Sequence, residues 1–316
     1  MNTKNARILV IGAGVNGSIC AVGLYRAGFD VTVLARAKRY EELVQQGIVI
    51  ENPIKNTRSV TMIPVINALA ADDRYEYILV IIRKNQVPDL LPVLARNCSP
   101  NVVFMINNPS GPDIYTEALG VERVLLGFVF GAGKREGSLI RAIGGPDNAI
   151  GTTPFGEIDG RVTPRVTRLV EIFNQAGLRA QVSRQMTNYL ATHAGMVAPF
   201  AHILIQHGCN NYDLAHSKAD LHLLADAMCE VLPVLRANGF KVVPSSNNFF
   251  FGVIPKFLLV AIFRLFLDTR FAEVGGAWHC TQAPDEMHQL GVELMAIVEK
   301  SGLPVPALRQ LFAMGT

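Results

Sequence analysis

The feature that most constrains this chain is a run of three glycines near its start, Gly12-Ala13-Gly14-Val15-Asn16-Gly17. Alone, G-x-G-x-x-G is a weak signal. Here it follows the apolar run Arg7–Ile11, opens a helical pattern over Val15–Ala27, and precedes a second apolar run, Val31–Leu34. In that strand, turn, helix, strand context the pattern has a mechanism. Gly12 permits the tight turn, Gly14 lets backbone approach a pyrophosphate, and Gly17 lets helix pack on strand. The backbone of Ala13, Val15 and Asn16 then faces the anion at a helix N-terminus, where N–H groups lack partners within the helix.

About 20 residues past such glycines, a chain that takes NAD usually carries Asp or Glu for the ribose hydroxyls. This one reads Leu34-Ala35-Arg36-Ala37-Lys38-Arg39. An acid is missing and three cations cluster, so a 2′-phosphate is the natural ligand. Arg36 can grip it bidentately, with Lys38 or Arg39 assisting as charge. The expected cofactor is NADP(H), and a solvated basic turn is the alternative.

Tyr77–Ile82 and Val102–Ile106 are again rich in Val, Ile and Leu without polar alternation, and helical stretches near Tyr40–Gln46 and Val87–Ala95 fit between the runs. Strands buried on both faces read this way, which predicts a Rossmann-type, doubly wound α/β sheet. From Val124 the texture changes. Val124–Phe130, Leu139–Ile143 and Ala149–Phe155 are separated by glycine-rich turns, and they predict an antiparallel extension of the sheet. A helix over Pro164–Ala176, closed by Gly177, and a strand near Leu178–Val182 complete a first domain over residues 1–183. Beyond it Gln185–His207, Leu214–Asn238, Pro255–Phe271 and Asp285–Ser301 carry helical patterns, the last two closing near Gly275 and Gly302. Residues 184–316 are thus expected to form an all-helical domain for substrate or dimerisation.

Composition excludes several classes. Half the residues are hydrophobic and 17% are charged, so a membrane span must be considered. The best candidate, Phe249–Leu267, is interrupted by Pro255, Lys256 and Arg264, and a buried helix or a subunit interface fits better. The net charge of +3 and the lack of a long Lys/Arg run argue against nucleic acid. The N-terminus has no h-region, and the five cysteines form no C-x-x-C pair; both features suit reduced cytoplasmic thiols without zinc or a disulfide framework. His202 and His207 are five apart and His216 and His222 six apart, spacings unsuited to shared metal ligation on a helix.

The chain resembles the ketopantoate reductase (2-dehydropantoate 2-reductase) family. The resemblance is carried by Ile8–Gly17, the basic Ala35–Arg39, Leu79-Val-Ile-Ile-Arg83-Lys-Asn-Gln86-Val87, Met105-Ile-Asn-Asn108-Pro-Ser-Gly111, and Asp285-Glu286-Met287 ahead of Gly302. It implies an NADPH-binding domain, a helical substrate domain, an active site in the cleft between them, and hydride transfer to a 2-keto acid. It further implies that Arg83 stands where the family keeps a lysine and that Gln86 lies near the adenosine half. By the same resemblance Asn108 lies close to nicotinamide and substrate, and Glu286 binds substrate. One departure matters: no lysine occurs between Lys134 and Lys218, where the family's proton donor would fall, and Tyr189 or Ala191 occupies that place.

Carbonyl reduction needs a proton for the developing alkoxide, and a donor with a pKa near neutrality favours histidine. Tyr189, His193 and Phe200 share one helix face, which makes His193 the candidate donor and Tyr189 a positioning or relay group. A core histidine is the alternative, and His279 or His288 could pair with Glu286. The reading is an NADPH-dependent reductase of a small carbonyl substrate, in the form of a possible homodimer. The competing readings are a non-catalytic NADP(H)-binding protein that has lost the chemistry, and a dehydrogenase making secondary amines.

Overall fold

The computed structural model describes residues 6–146 and 150–314. The first residue of the strand expected over Ala149–Phe155 and the N-terminal residues from Met1 to Asn5 lie outside the described residues. The chain divides into two compact units. One holds the residues up to Ile106 together with Pro112–Met186; the other holds Asn107–Gly111 and the chain from Thr187 onward.

The first unit carries strands β1 (Arg7–Ile11), β2 (Asp30–Leu34), β3 (Ile48–Asn52), β4 (Thr57–Thr61), β5 (Val65–Ile66), β6 (Tyr77–Val80), β7 (Val102–Phe104) and β8 (Val124–Gly127). β9 (Gly131–Glu136), β10 (Leu139–Gly144), β11 (Thr153–Gly156) and β12 (Ala180–Val182) follow. Its helices are α1 (Val15–Arg26), α2 (Ala37–Gln46), α3 (Val87–Arg96), α4 (Asp113–Leu119) and α5 (Pro164–Gln175). The main sheet has the order β12-β11-β8-β7-β6-β1-β2-β5. From β5 to β8 neighbouring strands are parallel, while β11 joins β8 antiparallel and β12 lies parallel to β11. The strand order reverses at β1, the first strand of the glycine motif, which is where a doubly wound sheet opens a crevice for ligands.

Continuous apolar runs make this sheet. Ile8, Val10, Leu79, Val103 and Leu125 are buried and pack with Ile19, Cys20 and Leu24 of α1 and with Leu169, Ile172 and Phe173 of α5. The expectation of one extended sheet needs a correction. Leu139–Gly144 leaves the main sheet for a second, four-stranded one, ordered β4-β3-β10-β9. β3 and β4 pair antiparallel, as do β10 and β9, whereas β10 runs parallel to β3. Ile140, fully buried, seats this small sheet against the main core.

The second unit contains α6 (Met186–Gln206), α7 (Asn211–His216), α8 (Lys218–Ala237), α9 (Ser246–Gly252), α10 (Lys256–Leu267) and α11 (Arg270–Ala272). A π-helical turn over Glu273–Ala277 comes next, then α12 (Trp278–Gln282), α13 (Pro284–Ser301) and α14 (Pro306–Ala313). No strand occurs among its described residues. Small residues at helical spacing, Ala191, Ala194, Ala198 and Ala201, let α6 lie deep against Leu224, Val231 and Leu235 of α8 and Leu290 and Leu294 of α13. A Cβ on Gly195 would stand 2.9 Å from Val231, a measure of how closely α6 and α8 pack.

Two helical expectations are also corrected. Leu214–Asn238 is two helices, because Asn210 caps α7 by accepting from the Tyr212 and Asp213 amides and the backbone turns extended at Ser217. Pro255–Phe271 likewise ends at Leu267, after which the Thr269 side chain caps the Ala272 amide. Among the described residues no single helix is long and apolar enough to cross a membrane; α9 and α10 together meet the composition test but are bent by 112°.

Candidate functional site

In the first unit the three glycines have different surroundings. Gly12 has φ of +110°, and a Cβ there would meet the Ile81 carbonyl oxygen at 2.2 Å. A Cβ on Gly17 would fall 1.7 Å from the Gly12 carbonyl oxygen, so turn and helix touch backbone to backbone. Gly14 is the opposite case: a Cβ there meets nothing within 4 Å. It is also the N-cap of α1, and no side chain caps that end, nor does an acid sit in its first turn. The outcome is open space in front of uncapped amide donors, which fits a bound phosphate group. The Oδ1 of Asn16 is buried beside this turn without a partner.

The basic cluster divides. Arg36 and Lys38 are exposed at the end of β2 and the start of α2. Arg39, expected beside them on the phosphate, has a different task. Its side chain is only 10% exposed; Nε donates to the Ala13 carbonyl at 3.2 Å, and Nη1 to Glu42 and to the Ser138 carbonyl, each at 3.1 Å. Arg39 therefore braces the glycine turn against the β9–β10 hairpin. Beyond β6, which lies next to β1, Arg83 is half-buried and Gln86 exposed, and between them Lys84 is buried. Sequence reasoning passed over Lys84. A buried cation at the end of that strand was the signal available, but burial is not written in a polar turn.

A second group of polar side chains gathers in the helical unit. Glu286, buried in the first turn of α13, accepts from the Asn107 Nδ2 at 3.4 Å, and its other oxygen lies 3.9 Å from the His279 Nε2 on α12. His279 is 43% exposed on its side chain, and Asn107 is half-buried. His193 on α6 lies near enough to feel the His279 charge. Burial, with that second histidine, pushes the His193 imidazole down from 6.5 to about 4. Tyr189, one turn earlier, is stacked parallel to His193 at 6.1 Å, and burial pushes its phenol well above the ordinary value. Ala191 is in the apolar core and offers no chemistry.

Asn108 is not the asparagine that reaches this group. It is buried, and its Nδ2 donates to the Gly111 carbonyl at 2.6 Å, closing its own loop. Asn107, which sequence reasoning missed, makes the contact to Glu286 and keeps a buried Oδ1 without a partner. His288 is exposed, and it is His279 that lies beside Glu286. Three other histidines serve local structure: His202 bonds the Met314 carbonyl, His207 pairs with Asp220, and His216 bonds the Tyr212 carbonyl. Among the described residues no cluster of His, Cys, Asp or Glu could hold a metal. Cys20 and Cys280 are buried thiols pushed up to about 12 and are not nucleophiles.

Comparison with known proteins bears on both units. Residues 8–159 match the family model described as ketopantoate reductase PanE/ApbA. Curated proteins give no match by sequence. The fold is similar to that of 2-dehydropantoate 2-reductase from Geobacter metallireducens GS-15, at 18% identity and a TM-score of 0.77, over 97% of this chain and 98% of that one. It is similar to 2-dehydropantoate 2-reductase from Methylococcus capsulatus at 19% and 0.72, over 98% and 95% of the two chains. A D-mandelate dehydrogenase solved with NADH and anilino(oxo)acetate is similar at 14% and 0.75, over 97% and 96%. The glycine turn, the Arg83–Val87 segment and the Asn108 loop all lie inside the matched residues, and the resemblance first read from them holds: residues 8–159 carry the sequence pattern of the ketopantoate reductase family, and the fold of the chain is the two-domain fold of those reductases.

Proposed function

We propose that this chain is an NADPH-dependent oxidoreductase that reduces a 2-keto acid or a related small carbonyl compound. The observation that carries the reading is the pairing of an uncapped, open glycine turn at Gly14 with exposed cations, and no acid, at the end of β2. The amides after Gly14 would hold the pyrophosphate, and Arg36 with Lys38 the 2′-phosphate. Arg83, Lys84 and Gln86, in the turn that follows β6, the strand next to β1, would hold the rest of the cofactor. When bound, NADPH supplies the hydride. The family match and the similar NADH-bound dehydrogenase support a nicotinamide cofactor; the choice of NADPH rests on the cations alone.

For the carbonyl, Glu286 would accept a hydrogen bond from a substrate hydroxyl or ammonium group, and Asn107 would hold the carboxylate in place. A proton must reach the alkoxide as hydride adds to carbon. His193, the donor expected from sequence, is neutral at pH 7 because burial holds it near 4. His279, wetter and beside a carboxylate, is the better donor. Asn108 then shapes the loop that presents Asn107.

The test is NADPH consumption over a panel of 2-keto acids and aryl ketones, with wild type, Arg36→Ala and His279→Gln. Loss of Arg36 is expected to raise KM for NADPH about tenfold or more and to leave NADH nearly unchanged. Loss of His279 is expected to lower kcat by roughly 10²-fold or more at unaltered KM for NADPH. Equal losses with the two cofactors would sink the 2′-phosphate assignment. A second reading, an NADP(H)-binding protein without catalysis, is favoured by the missing lysine and the low pKa of His193. It predicts tight NADPH binding by calorimetry with no turnover of any member of the panel.

A further inference from the structure

β4 sets its hydroxyls on one face. Thr57, Ser59 and Thr61 alternate with Arg58 and Val60, and Val60, 56% exposed, marks the outer side. The hydroxyl side looks towards α1. Ser59 stands opposite Ile50 of β3 and Thr57 opposite Asn52, so Ile50 and Asn52 share that inner face. On α1, Ile19, Val22, Gly23 and Arg26 follow one side of the helix and meet it. Arg26 leans onto the hydroxyl row, where its Nε donates to the Thr61 Oγ1 at 3.1 Å.

Helix and small sheet do not close on each other along this whole length. At Ile140 of β10 they pack as core. Further out they part, and the end of α5 with Gly177 flanks the gap, leaving a cavity of 380 Å³ wholly within the first unit. That is the size of a small-molecule site. Its wall is closely fitted: a Cβ on Gly23 would stand 3.0 Å from the Pro146 Cγ, and one on Gly177 3.1 Å from the Pro146 Cβ. Two glycines thus admit the proline that closes this end.

The lining selects a ligand class. Ile19, Val22, Ile50 and Ala142 make an apolar floor. The polar groups above it are mostly donors: the Arg26 guanidinium, the Thr57 and Ser59 hydroxyls, and the Asn52 amide, whose oxygen is already taken by the Ile54 and Lys55 backbone N–H groups. Among the described residues lining the cavity none is Asp or Glu, so a cationic ligand would find no counter-charge. An anion with an apolar body satisfies both halves, because a guanidinium fork matches a carboxylate or a phosphate. The place is not the glycine turn. Arg26 lies twelve residues along α1 from Gly14, a separation of about 18 Å by helical rise.

We propose that this cavity is a second ligand site, which takes a small organic anion. The carboxylate or phosphate group sits on Arg26 and the β4 hydroxyls, and the apolar body lies against Ile19, Val22 and Ile50. The experiment is calorimetric titration of the full chain with benzoate, phenyl phosphate, inorganic phosphate and benzylamine, with melting curves as the check on folding. Benzoate or phenyl phosphate is expected to bind wild type at roughly millimolar Kd or tighter, and the tighter of the two names the head group. Arg26→Gln, at an exposed position, is expected to weaken that binding at least about tenfold. Ser59→Phe, which puts a ring into the cavity from the face of β4, is expected to abolish it, and Arg36→Ala to leave it unchanged. The proposal is overturned if neither organic anion binds, if inorganic phosphate binds as tightly as phenyl phosphate, or if benzylamine binds as tightly as benzoate. Binding that survives Arg26→Gln but is lost in Arg36→Ala would place the anion at the glycine turn and overturn it too.

Discussion

At the scale of single residues, the glycine turn separates two demands that one motif conceals. Gly12 is needed by the fold, since any side chain would collide with the Ile81 carbonyl at a φ that L-residues avoid. At Gly14 a methyl strikes no protein atom, so on the proposed reading only a ligand would require the glycine there. Gly12→Ala is therefore expected to lower the melting temperature markedly. Gly14→Ala should melt within a degree or two of wild type and lose most of its NADPH affinity; calorimetric titration beside a melting curve checks both. The sequence exposed this turn fully, because its residue types and spacing are the mechanism. It exposed the helical unit's polar group less well. Glu286 was marked by the short match before Gly302, whereas Asn107 stood next to the residue the resemblance indicated. Asn108 is the one that closes its own loop, on the carbonyl of Gly111, whose φ is +91°, a matter of backbone geometry that composition does not carry.

At the scale of elements, legibility followed burial. β1, β2, β6 and β7 are buried along nearly their whole length, so past the leading Arg7 and Asp30 their sequences are almost entirely apolar and visible. β4 exposes four of its five residues at least partly and reads Thr-Arg-Ser-Val-Thr, which gives no period to follow. The second sheet was missed for that reason. α5 was read correctly because its start is explicit: Thr163 accepts from the Val166 amide and Pro164 takes the first turn. What the sequence did not show is the anchor that follows. Arg165 forks onto the buried Glu157, with Nε to Oε1 at 2.8 Å and Nη2 to Oε2 at 2.5 Å, and Thr163 shares the same carboxylate. Arg165→Ala leaves that carboxylate without its charge partner and is expected to cost about 2–4 kcal/mol in urea denaturation. Thr163→Ala should cost about 1 kcal/mol.

At the scale of the whole molecule, His193 links the stability of the helical unit to pH. The unfolded imidazole takes a proton near 6.5, and the folded one resists until about 4. Stability from this group is complete above pH 6.5 and is lost progressively as pH falls towards 4, by up to about 3 kcal/mol. His193→Gln is expected to flatten the urea midpoint between those values; an unchanged slope in the variant would remove His193 as the cause.

Asn107 has one more consequence. It belongs with the helical unit although the chain on both sides of its loop belongs with the first unit, and its bond to Glu286 closes over 179 residues. A ribosome releases Asn107 long before the helix that carries Glu286 exists. The first unit can therefore form during synthesis, while Asn107 must wait for α13 before it meets the Glu286 carboxylate. Long-range closure of this kind is slow relative to local helix formation. Fragments cut at residue 186 would separate the two halves of the cluster.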